Sequence, residues 1–238
     1  MVDGIVFDLD DTLIDSEMLI ESIEYGLFTA NGADISASER PGSEIFRSLS
    51  FPELFERFIG RDENLLKKLS SERSDRIAEE IPKIEFFPES IEVLKTLKNS
   101  GLKLSVGTGN SRSVFNLMDD QLHITDLVDA VVCRDDVKNG KPAPDTFLKA
   151  LEEIKVAPVA AIVVGDSASD IEAGNAMHAK TVQIVRQAHA DYQAKRGNAV
   201  LPGAFATTEM EGVTSKADYT IRNLRELLEE PFTSLFKV

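Results

Sequence analysis

The feature that most constrains this chain is a rhythm that begins near residue 89. Residues 102–107 (LKLSVG), 129–133 (DAVVC), 160–165 (AAIVVG) and 181–185 (TVQIV) read as short strands, and helical stretches over 111–120, 144–154 and 168–177 separate them. A helix over 89–99 leads into the first of these and stops at Gly101, a residue that tolerates the left-handed backbone at a helix end. Strands that alternate with helices of about 10–15 residues argue for right-handed βαβ units and a parallel sheet. A further apolar run, residues 4–9 (GIVFDL), stands alone near the N-terminus and ends in acids. It reads as a buried strand.

Between that run and residue 89 the texture is different. Asp15 or Ser16 can cap a helix that continues to about Ala30, with Asn31-Gly32 as its stop. Residues 33–88 contain no strand-like run and show helical patterns at about 43–58 and 63–80. The fold class expected is therefore α/β, a Rossmann-like parallel-sheet core with an all-helical domain inserted after the first strand. The boundaries read as 1–14 plus 89–238 for the core and 15–88 for the insertion. In an open parallel sheet, ligands sit at the carboxyl ends of the strands.

Composition narrows the function classes. Among 238 residues the formal net charge is -15, and the pI is near 4.7. Such a surface repels nucleic acid and anionic lipid, which both need basic partners. An anionic substrate would also be repelled unless local cations or a metal reversed the field. Cys133 is the only cysteine, so no internal disulfide can form. The first residues, MVDGIVFDLDD, lack the basic flank of a signal peptide, and no stretch nears the ~18 apolar residues of a membrane span. These features lead us to expect a soluble cytoplasmic protein, monomeric or homodimeric.

The carboxyl end of the first strand reads Asp8-Leu9-Asp10-Asp11-Thr12. Residues two apart on a strand face the same way, so Asp8 and Asp10 can converge on one ligand. Two close carboxylates repel and call for a cation or a shared proton. A divalent ion with oxygen ligands answers that need, and magnesium suits a phosphate substrate.

Three other strand ends carry related signals. Thr108-Gly109-Asn110 follows the second strand and, taken alone, reads as a polar turn capping the helix that begins near Ser111. Lys141 lies in Gly140-Lys141-Pro142-Ala143-Pro144, where flanking glycine and prolines restrict its movement. Gly165-Asp166-Ser167-Ala168-Ser169-Asp170 adds two carboxylates, although Asp166 or Ser167 can also serve as a helix cap. One face of the sheet thus gathers four carboxylates, a hydroxyl and an ammonium. That set suits phosphoryl transfer, in which positioning and charge neutralisation dominate catalysis.

These motifs resemble the haloacid dehalogenase (HAD) superfamily, in the phosphoglycolate phosphatase and beta-phosphoglucomutase-like branch with a helical cap after the first strand. DLDDT at 8–12 looks like its first motif, Thr108 its second, Lys141 in KPAPDTF its third and GDSASD its fourth. The resemblance implies a phosphatase acting on a small phosphorylated metabolite. Asp8 would be the nucleophile that becomes an aspartyl-phosphate, and Asp10 the acid and base. Magnesium would be held by Asp8, the backbone carbonyl of Asp10 and Asp166, with Asp170 either a further ligand or a support to the others. Thr108, Gly109, Asn110 and Lys141 would line the phosphoryl site, with Arg47 and the Arg40 to Ser43 loop as candidates for reading the leaving group.

The residues also weigh against rival readings. The family's dehalogenases lack an equivalent of Asp10. Its phosphonatases carry a lysine early in the cap, whereas residues 15–32 have no lysine or arginine. A sugar-phosphate mutase remains an alternative, because it shares the core. A phospho-receiver domain would be about half this length, and an inactive binding protein would not need every motif side chain. Three departures stand out. Asp11 and His178 occupy positions where relatives often have glycine, and His178 is expected to adopt left-handed backbone. Residues 186–217 look longer than usual, with a helical pattern at 187–196 and loop character at 197–216. They are expected to narrow access to the site, or else to form a surface excursion or an oligomer contact.

Overall fold

A computed structural model describes all residues except 44, 47, 48, 187–215 and 237–238. The described chain falls into two compact units, one of Met1–Asp15, Ile84–Arg186 and residues 216–236, the other of Ser16–Lys83.

The first unit is built on a parallel sheet of order β5-β4-β1-β6-β7-β8. Its strands are β1 (Gly4–Phe7), β4 (Lys103–Gly107), β5 (Ala130–Val132), β6 (Ala161–Gly165), β7 (Lys180–Ile184) and β8 (Tyr219–Ile221). β1 is central, with Phe7 opposite both Val106 of β4 and Val164 of β6. All four of its residues are buried, which explains the unbroken apolar run, since a strand covered on both faces has no polar side to show. The chain runs outward from β1 to β4 and β5, then returns to β6 and continues outward the other way. The carboxyl ends of β1, β4 and β6 therefore meet where the strand order reverses, the usual place for a ligand crevice.

The helices of this unit are α4 (Ser90–Asn99), α5 (Arg112–Leu122), α6 (Ile124–Leu127), α7 (Asp145–Glu153) and α8 (Ala168–Ala176), all anticipated by the sequence pattern except the four-residue α6. Phe147 and Ala150 of α7 and Ala173 of α8 pack with Val6, Val132 and Val163 of the strands in one buried cluster. α8 lies very close to the sheet, because a Cβ on its Gly174 would stand 2.6 Å from Thr181 Cγ2. That helix ends at His178, whose φ of 59° is the left-handed backbone expected there.

The second unit contains α1 (Glu17–Ala30), α2 (Phe51–Phe58) and α3 (Glu63–Glu80). Its core joins Leu27 and Phe28 of α1 with Phe51, Leu54 and Phe55 of α2 and Leu69 of α3. Arg73 donates to the buried Glu24 at 2.6 Å. Among the described residues no helix is long and apolar enough to cross a membrane.

Two local expectations fail. The helical pattern over 43–58 does not form one helix: α2 starts afresh at Phe51, where Ser50 and Glu53 make a reciprocal capping box and Pro52 sits in the first turn. The stretch 33–88 does contain a strand, β3 (Glu85–Phe86), paired antiparallel with β2 (Ile14–Asp15). Two residues are too few for a periodic pattern to be read.

The turn after β1 is clamped by a side chain from the far end of β7. Arg186 donates to the carbonyls of Asp11 at 3.0 Å and Thr12 at 2.5 Å, and pairs with Glu89 Oε1 at 2.8 Å. Its guanidinium lies 3.5 Å from the centroid of the Phe87 ring. Both charged side chains are less than a tenth exposed. Burial opposes ionisation of Glu89, but Arg186 outweighs it and holds the carboxyl below its usual range. The pair should therefore contribute its full stability above pH about 4.5 and lose it as pH falls through the lowered value. Arg186→Met would strand a buried carboxylate and should cost about 3 kcal/mol in urea unfolding at pH 7, while Arg186→Met with Glu89→Leu should recover part of that loss.

Candidate active site

The site is assembled on the first unit from four loops that leave the sheet. Asp8 follows β1 directly, and its N–H still continues the ladder to Val164 O at 2.8 Å. The backbone then curls: Leu13 and Ile14 donate to Leu9 O, and Asp11 donates to Ile14 O at 2.9 Å. Asp11 takes φ 50° in this turn, a left-handed conformation that Asp tolerates better than branched residues. Asp8 is only 5% exposed at the base of the turn.

Lys141 reaches Asp8 from the loop after β5. Its Nζ lies 2.5 Å from Asp8 Oδ1 and 2.6 Å from Asp170 Oδ1, and 5.3 Å from the centroid of the Phe147 ring. The loop is held by Ala143 N–H on Gly140 O at 3.0 Å and by the Asn139 amide on Asp145 at 3.0 Å. The exposed Arg134 side chain lies over Gly140, where a Cβ would stand 2.6 Å from its Nε.

Asp170 belongs to α8 but faces inward because it completes that helix's capping box. Its Oδ2 accepts from the N–H of Ser167 at 3.1 Å and from the Ser167 hydroxyl at 2.6 Å. Ser167 is thus the cap that the sequence left undecided between Asp166 and Ser167. Gly165 makes room for this arrangement, because a Cβ on it would lie 2.5 Å from Asp170. Asp166 accepts from Thr12 Oγ1 at 3.4 Å, while its backbone carbonyl accepts from the Gln183 amide at 3.2 Å.

The carboxylate of Asp10 is held elsewhere, by the loop after β4. Its Oδ2 accepts from Asn110 Nδ2 at 2.6 Å and from Thr108 Oγ1 at 3.4 Å. Thr108 and Asn110 are buried, and a Cβ added to Gly109 would meet nothing within 4 Å.

Electrostatically the centre is short of positive charge. Oxygens of Asp8, Asp166 and Asp170 lie within 4.8 Å of one another, and Lys141 supplies the ammonium that touches two of them. Burial pushes the Asp8 carboxyl up to about 8, with Lys141 pulling it down and Asp170 and Asp10 pushing it up. Burial works against the Lys141 charge, yet Asp170 and Asp8 outweigh it and hold the ammonium above its usual range. Three carboxylates stand against the one ammonium that touches them, and a divalent ion would offset that excess of acid. An all-oxygen donor set suits a hard ion such as magnesium. The residues therefore fit such an ion by the chemistry of their donors.

Of the residues singled out from the sequence, Asp8, Lys141, Asp166 and Asp170 come together, and Asp10, Thr108 and Asn110 form an adjoining group. Arg47 and residues 187–215 lie outside the described residues. The sequence reading overlooked Arg186, Glu89, Thr12 and Gln183. Arg186 follows the end of β7, so the strand-end reasoning applied to the other loops would have reached it. Glu89 starts a helix and carries no pattern of its own.

Comparison with known proteins agrees with this geometry. Residues 5–184 match the family model described as haloacid dehalogenase-like hydrolase. The pyrophosphatase PpaX of Bacillus cereus (strain B4264) is 30% identical over 190 residues, covering 77% of this chain and 83% of its own. The phosphoglycolate phosphatase of Escherichia coli O157:H7 is 27% identical over 196 residues, covering 73% and 77%. Among solved structures, beta-phosphoglucomutase from Clostridium difficile has a TM-score of 0.77 at 20% identity, covering 99% of this chain and 97% of its own. CbbY from Rhodobacter sphaeroides in complex with phosphate has a TM-score of 0.70 at 20% identity, covering 95% and 96%. At those identities the structures speak for the fold alone. The family match spans nearly all of the sheet and every motif loop, and this chain belongs to the haloacid dehalogenase-like hydrolases.

Proposed function

We propose that this hydrolase is a magnesium-dependent phosphatase that cleaves a small phosphorylated metabolite through an aspartyl-phosphate on Asp8. The observation that carries the reading is the Lys141 ammonium held between Asp8 and Asp170. It keeps one carboxylate oxygen of a buried aspartate oriented at a strand end, where an anionic phosphoryl group can approach. The names of the curated relatives, a pyrophosphatase and a phosphoglycolate phosphatase, support phosphate release as the outcome.

In this reading Asp8 attacks phosphorus and a phosphorus–oxygen bond to the leaving alcohol breaks. Asp10 gives its proton to the departing oxygen and then takes one from the water that hydrolyses the intermediate, freeing inorganic phosphate. Lys141 and the hydroxyl of Thr108 hold phosphoryl oxygens, with the Gly109–Asn110 turn beside them. Asp8, the carbonyl of Asp10, Asp166 and Asp170 would hold magnesium, which supplies charge neutralisation for the phosphoryl group. In this reading residues 1–14 plus 89–238 are the catalytic core and residues 15–88 the cap.

A mutase acting on sugar phosphates is the second reading, favoured by the fold shared with beta-phosphoglucomutase. Net release of inorganic phosphate from a panel of phosphoglycolate, pyrophosphate and hexose phosphates separates the two, because a mutase returns an isomeric phosphate instead.

Asp8→Asn should fold normally and abolish phosphate release, since the near-isosteric amide cannot attack phosphorus. Turnover by the folded variant at the native rate would end the covalent mechanism. Chelation should stop activity and magnesium should restore it. Magnesium alone should also raise the melting temperature, because saturation at 100 times Kd stabilises by about 2.7 kcal/mol. Asp166→Ala should abolish that rise, and a rise that persisted in the variant would remove Asp166 from the ligand set.

A further inference from the structure

Three nitrogens of Arg186 donate to three different acceptors. Nε reaches Asp11 O at 3.0 Å, Nη2 reaches Thr12 O at 2.5 Å and Nη1 reaches Glu89 Oε1 at 2.8 Å. The fork lies 3.5 Å from the centroid of the Phe87 ring, and the backbone just before it is tied down where Val185 N–H donates to Ile221 O at 2.8 Å. We propose that Arg186 is a positioning residue for phosphoryl transfer: by holding the peptide planes that follow Asp11 and Thr12, its guanidinium fixes where the turn after β1 presents the Asp10 carbonyl and the Thr12 hydroxyl. The inference rests on the reading of a magnesium-dependent reaction at Asp8.

The link runs through Asp11. Its φ of 50° is left-handed, a conformation that persists at a non-glycine residue when the surroundings over-determine it. Each peptide unit is planar, so a change in φ at Asp11 swings the plane that carries the Asp10 carbonyl. That plane is held by Asp11 N–H on Ile14 O at 2.9 Å. The next plane is held by Arg186 on Asp11 O. The one after it is held at both ends, by Arg186 on Thr12 O and by Leu13 N–H on Leu9 O at 2.9 Å. Arg186 therefore grips two successive planes, and loss of its fork takes a donor from each. A turn that relaxes toward right-handed backbone at Asp11 carries the Asp10 carbonyl with it. The same hold reaches the acidic centre a second time, because Thr12 Oγ1 donates to Asp166 Oδ1 at 3.4 Å.

The contact asks for arginine in particular. A guanidinium is a rigid planar fork with donors in fixed directions, whereas an ammonium is a compact charge on a flexible stem. The buried Glu89 carboxylate offsets the charge of the guanidinium, so the effect on the centre is one of geometry.

The test uses the full chain with two changes at the fork. Arg186→Met with Glu89→Leu removes the guanidinium and its buried partner together, so neither charge is stranded. Arg186→Lys keeps a positive charge beside Glu89 but not the fork. Leu151→Ala, a core substitution outside the site, serves as a control for lost stability. Each chain is studied below its own melting temperature. The magnesium Kd is measured by calorimetry without substrate, and kcat and KM are measured at saturating magnesium with the best substrate of the release panel. Both Arg186 variants should bind magnesium about tenfold more weakly and lose about 10- to 100-fold in kcat, the range typical of residues that orient metal ligands. KM should stay within about threefold, because Lys141 and Thr108 are untouched. Leu151→Ala should keep the native Kd and kcat. If the double variant does not fold, Arg186→Lys decides on the same two quantities. Native Kd and kcat in either folded Arg186 variant would overturn the assignment, and so would equal losses in Leu151→Ala, since the effect would then follow stability. A native chain that binds no magnesium or releases no phosphate would instead remove the reading beneath it, so the two failures remain distinct.

Discussion

The site depends on one ammonium. Lys141 touches Asp8 and Asp170 at once, and it offsets the repulsion between these two buried carboxylates, beside which the half-buried Asp166 stands. The surrounding structure serves that contact. The bonds of residues 139–145 set the lysine's starting point. Gly165 and the Ser167–Asp170 capping box bring one of its partners inward. Burial of ions is seldom a source of net stability, because desolvation offsets much of the attraction. The cluster is better understood as a specificity device: it puts one carboxylate oxygen where an incoming anion can meet it, and leaves a charge deficit for a divalent cation.

Two further contacts hold the turn after β1, and they differ in kind. Arg186 grips the backbone through the carbonyls of Asp11 and Thr12 and is indifferent to which side chains the turn carries. Asn110 grips a side chain, Asp10, and leaves the backbone alone. The first acts on where the turn lies, and the second on one carboxyl that it carries. Together they let a five-residue segment carry two aspartates with different surroundings, one paired with a lysine and one hydrogen-bonded to neutral donors.

Much of this could be read from the sequence because its signals are local and periodic. The apolar runs of β1, β4, β6 and β7, the helices between them and the acids at their carboxyl ends follow from the demands of a sheet covered on both faces. The motif residues fell into place once the ends of parallel strands were taken as a single surface. What escaped the reading was set by distant partners. Glu89 and Arg186 are separated by 97 positions, and neither has a pattern around it. The β2 and β3 pair is two residues long on each side, and the break before Phe51 depends on a capping box inside an otherwise helical stretch. His178 shows the opposite case: its left-handed backbone was legible because a helix had to stop there.

The central place of β1 has a consequence for biosynthesis. Gly4–Phe7 is made before its sheet neighbours, Lys103–Gly107 and Ala161–Gly165. Until those segments emerge, an apolar strand with both edges open must wait, a configuration prone to wrong pairing. The helical residues 16–83, which form a compact unit, are made in that interval. Their insertion directly after β1 separates the nascent strand from the other strands by a block of largely non-β sequence. The surface at the strand ends can close only when β6 docks beside β1, so it is completed only after Ala161–Gly165 has been made.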